Sequence, residues 1–84
     1  MHSGEMVKNA LRNRNMSQVA LASAIGRDQS LISRYVHGTI EVSADTAMAI
    51  AHTLNINFGV LYEQLRKDKF DRSIEKLKLK YDGR

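Results

Sequence analysis

The chain has no cysteine, so a disulfide framework, a thiol nucleophile and a cysteine-based zinc site are all excluded. It has no apolar run of membrane-spanning length and no hydrophobic block at its amino terminus, which points to a soluble cytoplasmic protein. Nor does it contain a glycine-rich phosphate loop, a nucleophile with a base nearby, or a pair of histidines at metal-ligand spacing. Catalytic residues, cofactors and metal ligands are therefore not assigned, and an enzyme is not expected. What remains is 84 residues, enough for one small domain with a thin core. Its stability must come from helix packing, helped by self-association.

The net charge of +4 is unevenly placed. Residues 1–40 carry Lys8, Arg12, Arg14, Arg27 and Arg34 against Glu5 and Asp28, a balance of +3. Residues 41–65 carry Glu41, Asp45 and Glu63 with no lysine or arginine, a balance of −3. Residues 66–84 hold eight basic and four acidic groups and return to +4. A positive half packed on a negative one suits a protein that turns one side to a phosphate backbone.

The most structured stretch is Ser17 to Gly38, which reads as two short helices joined by a tight turn. Ser17 can cap the first, Leu21, Ala22 and Ile25 recur at helical spacing, and Gly26 can end it in the left-handed conformation. Asp28 can cap the second, with Leu31, Ile32 and Tyr35 as its apolar side and Gly38 at its close. With Ile32 and Tyr35 turned inward, Gln29, Ser30, Ser33 and Arg34 form the outer face. An amide can grip adenine at two points, a guanidinium can grip guanine at two, and serine serves either. These groups lie where a recognition helix enters the major groove.

Ser17-Gln18, Leu21-Ala22, Ile25-Gly26, Gln29-Ser30, Ile32, Gly38, Ala51, Leu54 and Leu61 together make the stretch Val7 to Tyr62 resemble the Cro/phage-repressor (XRE-type) helix-turn-helix family. The resemblance implies an all-α fold, a five-helix domain in which Gln29, Ser30 and Arg34 read bases of double-stranded DNA, and Ser33 joins them from its place on the same outer face. It implies that Gln18 touches a phosphate and braces Gln29. Phosphate contacts from Arg27, His37, Thr39, Ser43, Lys8 and Arg12 are expected beside it, His37 being equally suited to plain solvent exposure. Three positions depart from the family pattern: Arg27 replaces an aliphatic residue, Val36 a frequent glutamate, and Glu41 lies in a loop that often carries lysine.

Around this unit, Met6, Val7, Ala10 and Leu11 predict an amphipathic first helix ending near Arg14, with Ser3 as its cap and Met1 to Gly4 loose. Met16 is a core plug. Ser43 starts a fourth helix whose ridge is Ala44, Ala47, Met48, Ala51 and Leu54, widened by Ile50. Asn57 starts a fifth holding Phe58, Leu61 and Leu65, with Ile56 plugging the core before it. Residues 1–66 thus form the helix-turn-helix domain, and residues 67–84 an additional C-terminal helical segment.

In that segment Phe70, Ile74, Leu77 and Tyr81 are spaced 4, 3 and 4, like a coiled-coil seam. If the fifth helix runs on unbroken, at about 100° per residue the seam points roughly 190° away from Leu61. A bend near Lys67-Asp68-Lys69, with Asp68 capping a new helix, would instead fold the seam onto the domain. A strand over residues 76–81 is a third possibility, disfavoured because no other segment reads as its partner. The outward phase, taken with the resemblance to the repressor family, suggests that these four residues form a homodimer contact. The whole suggests a transcriptional regulator of phage or mobile-element type, a repressor on a palindromic operator. The alternative is an antitoxin-like or adaptor protein whose seam binds a different protein.

Overall fold

Each helix after the first begins where the sequence supplies an acceptor for otherwise unpaired amides. The Ser17 hydroxyl accepts from the Ala20 amide at 3.0 Å, the Asp28 carboxylate from Ser30 at 3.1 Å, the Ser43 hydroxyl from Thr46 at 3.2 Å and the Asn57 amide oxygen from Val60 at 3.1 Å. A computed structural model describes residues 2–82, in which the helices are α1 (Ser3–Asn13), α2 (Gln18–Ile25), α3 (Gln29–Val36), α4 (Ala44–Leu54) and α5 (Phe58–Asp82). No strand is present among the described residues, so the fold is all-α as expected. Gly26, at φ 68°, ends α2 in the left-handed region. Asn15 and Asn55 adopt φ 53° and 55° after α1 and α4, the non-glycine type that tolerates this best.

One core joins all five helices. Val7 and Leu11 of α1, Leu21 and Ala22 of α2, Ile32, Tyr35 and Val36 of α3, Ala47, Ile50, Ala51 and Leu54 of α4, and Leu61 and Leu65 of α5 are buried together. Met16, Ile56 and Phe58 pack half-buried against them. Each fully buried leucine or isoleucine contributes ~1.5–3 kcal/mol, against ~0–1 for an exposed ion pair, so apolar burial holds the helices in place.

Four expectations change. The amino terminus is not loose from its second residue on: α1 starts at Ser3, which is completely buried. Nor is Ser3 a cap. His2 occupies that position without a side-chain bond, while Ser3 donates its amide (2.9 Å) and its hydroxyl (2.6 Å) to one oxygen of Asp68. A carboxylate from α5 thus caps α1, at the end where the helix dipole favours negative charge. In α4 the ridge is rotated: Ala44 is exposed and Met48 is 55 % exposed, whereas Ile50 lies at the centre. Val36, not assigned inward, joins Ile32 and Tyr35 in the core.

The structure also settles the tail, for which the sequence left three courses open. α5 runs without a break through Lys67-Asp68-Lys69, so Asp68 caps no new helix and residues 76–81 are no strand. Its first half packs in the core and its second half extends a molecule 46 Å long. Where α1 meets α3 the backbones touch: a Cβ on Gly4 would overlap the Tyr35 carbonyl oxygen. No helix among the described residues is long and apolar enough to cross a membrane.

Candidate nucleic-acid interface

α3 is held along one face by Ile32, Tyr35 and Val36, none more than 3 % exposed. That leaves Gln29, Ser30 and Arg34 exposed and Ser33 half-buried, on one connected outer surface. The Arg34 Nε–H donates to the Ser30 carbonyl at 3.2 Å, which steadies the side chain along its own helix. Its terminal Nη groups make no hydrogen bond among the described residues and remain available for two-point recognition.

The positions expected at phosphates are not alike. Lys8, Arg12 and Arg27 are exposed, and the Arg27 backbone is fixed by its amide donating to the Ala22 carbonyl at 2.9 Å. Gln18 starts α2 and is half-buried; no hydrogen bond joins it to Gln29 among the described residues, so the bracing contact is not formed here. His37 Nδ1 lies 2.7 Å from the Ser33 carbonyl. A carbonyl only accepts, so Nδ1 carries the hydrogen, and Nε2 can donate to an anion only when the ring is protonated.

The Thr39 hydroxyl donates to the Arg34 carbonyl at 2.9 Å, joined by the Thr39 amide at 3.0 Å. The Ser43 hydroxyl donates to Thr46 Oγ1 at 3.1 Å while accepting the Thr46 amide. Both hydroxyl hydrogens are therefore committed to the helix ends they close. The groups left for an anion near Ser43 are the first amides of α4, which have no intrahelical partner.

Two residues not singled out for the interface tie it to the rest of the domain. Arg72 of α5 donates from Nη2 to the Gly38 carbonyl at 2.8 Å, and its Nε lies 3.4 Å from Glu41 Oε1. The segment leaving α3 is thereby tethered to α5. Glu41, which departs from the family pattern, serves as the anionic end of that tether. Helical phase was the available signal: at about 100° per residue Asp68 and Arg72 fall within roughly 20° of the Leu61 direction, facing inward.

Tyr35, next to this tether, is 2 % exposed and its hydroxyl is the buried side-chain polar atom left without a hydrogen bond. Burial raises its pKa above the ordinary 10.0; the adjacent Ser3 hydroxyl acts the other way and the Asp68 charge adds to the rise. Ser3 is already committed to Asp68, which leaves the phenol unpaired.

The seam residues Phe70, Ile74, Leu77 and Tyr81 are 64, 36, 50 and 54 % exposed, so α5 carries an apolar stripe directed away from its own core. No cluster of three or more histidine and acidic side chains able to hold a metal is found among the described residues. Compared with known families, residues 7–61 match the model described as helix-turn-helix, a span from α1 into the first turn of α5 that contains the whole α2–α3 unit. No curated protein and no solved structure matches the chain.

Proposed function

From a chain that belongs to the Cro/phage-repressor (XRE-type) helix-turn-helix family, and is a DNA-binding regulator of that type, we propose a sequence-specific repressor that binds a palindromic operator as a homodimer. The observation that carries this is the outer surface of α3, where Gln29, Ser30, Ser33 and Arg34 are presented by a helix whose opposite face is locked in the core. These four read base edges in the major groove. Lys8, Arg12, Arg27 and Gln18 hold the backbone, with the α4 amino terminus at Ser43 as an amide donor and His37 beside them just past the end of α3. Thr39 joins them only if its hydroxyl leaves the Arg34 carbonyl. Repression follows from occupying promoter DNA.

Selection of bound oligonucleotides from a random pool tests this directly. The expected result is an inverted pair of half-sites whose centres lie about 10–10.5 base pairs apart, or a multiple of that. Absence of any enriched sequence refutes the proposal.

The exposed stripe on α5 supports a second reading, an antitoxin-like or adaptor protein that offers this stripe to a different protein. The purified chain should then be monomeric, whereas the repressor reading requires dimers. Deleting everything from Lys67 is a poor discriminator, because it also removes Asp68 and Arg72 from the domain. Ile74→Gln with Leu77→Gln alters the stripe and leaves both anchors in place.

A further inference from the structure

The stripe on α5 also specifies how it is to be covered. Along one face of the helix the order is aromatic, aliphatic, aliphatic, aromatic: Phe70, Ile74, Leu77, Tyr81. This pattern is the same in both directions. We propose that two copies pair through these residues as an antiparallel two-stranded coiled coil, Phe70 against Tyr81 of the second copy and Ile74 against its Leu77. The inference rests on the homodimer reading above and deepens it.

Three features select a second copy in this direction. With Ile74 and Tyr81 at a positions and Phe70 and Leu77 at d, Asp71 and Lys78 fall at e. In an antiparallel pair e flanks e, so Asp71 of each copy meets Lys78 of the other, two opposite-charge pairs from one register. The g residues at the same levels, Ser73 and Lys80, bring no like charges together. In a parallel pair the stripe would continue toward the amino-terminal end of α5 with Lys67 facing Lys67 and Glu63 facing Glu63. The antiparallel register leaves both of these outside its four layers. Finally, the stripe points away from the core, so the two domains lie on opposite outer sides of the pair and neither obstructs it.

The pairing also fixes how far apart the DNA-reading units stand. Arg72 holds Gly38 on the side of α5 opposite the stripe, only a few residues from the centre of the paired region. With a rise of 1.5 Å per residue and helix axes 8–10 Å apart, the carboxyl ends of the two α3 helices come out about 30 Å from one another. That is close to the ~34 Å between successive major grooves on one side of DNA.

The test uses the whole chain, whose lack of cysteine permits a single spin label through Glu63→Cys, exposed and outside the four layers. Sedimentation gives the mass, and dipolar spectroscopy gives the label separation: about 35–40 Å along the axis for the antiparallel pair, under about 20 Å for a parallel one. A dimer with the long distance supports the proposal, and a dimer with the short one overturns it. So does a chain that remains monomeric at millimolar concentration, while operator binding measured on the same sample reports separately on the DNA-binding reading. Charge exchange supplies the second measurement: Asp71→Lys should weaken association at least severalfold and the double variant Asp71→Lys/Lys78→Asp should restore it. Failure of the double variant to recover refutes the Asp71–Lys78 register.

Discussion

Removing the carboxylate of Asp68 should destabilise a distant part of the chain, the first turn of α1. Ser3 is wholly buried and both its donors end on Asp68, across 65 residues of sequence. In Asp68→Ala its amide and hydroxyl lose a charged acceptor. Hydrogen bonds to charged groups contribute ~1.5–3 kcal/mol, and stranding a buried donor costs ~1–3 kcal/mol. Asp68 itself is only part-buried, so water can replace some of what is lost. The expected cost is ~2–4 kcal/mol, which for a domain of this size lowers Tm by about 10–30 °C. Asp68→Asn keeps one oxygen acceptor and should fall between. Urea unfolding followed by circular dichroism measures the loss, and a cycle with Ser3→Ala isolates the coupling, expected at ~1 kcal/mol or more. A cost within ~0.5 kcal/mol of wild type, or no coupling to Ser3, would show that α5 does not cap α1 and refute this account of the fold.

Arg34→Ala should cost ~1–3 kcal/mol in operator affinity and relax preference at one base pair; equal loss on every sequence in a competition assay would make Arg34 a phosphate ligand instead. Gly4→Ala should lower stability by ~1–3 kcal/mol, since the added carbon meets a backbone oxygen that cannot rotate away; an unchanged urea midpoint would contradict that contact. Tyr35 keeps its proton in the folded state above the pH where it is lost on unfolding, so its contribution is complete below pH 10.0 and declines as pH rises beyond it. Tyr35→Phe, which removes a hydroxyl with no partner, should therefore be nearly neutral at pH 7 and show a shallower alkaline loss; an identical alkaline limb would exclude Tyr35 as its source.

Local chemistry was legible in the sequence wherever it acts over a few residues. Ser17, Asp28, Ser43 and Asn57 cap the helices they precede, and Gly26 turns left-handed, because each decision depends on an acceptor or a missing Cβ within one turn. The phase of α3 was readable for the same reason, although Val36 required knowing how wide a face the core covers. The misplacement of Met48 has a different origin. α4 is rich in small apolar residues on several sides, so periodicity alone could not say that Ile50 and not Met48 lies inward. Ser3 was legible as a polar residue near a helix end and Asp68 as a potential cap, but their pairing depends on how α1 and α5 come together. Arg72 was legible only in part: helical phase turns it inward, but its partners Gly38 and Glu41 depend on how α5 packs beside the end of α3.

Because the last anchor to the globular part is Arg72, α5 divides into a root that cannot be trimmed and a shoot beyond Ser73 that contributes no contact described above to its own domain. A chimera joined there would carry a foreign tail while keeping the half-site preference of the head. The bases each head prefers and the distance between two heads would then be set in different stretches of the chain.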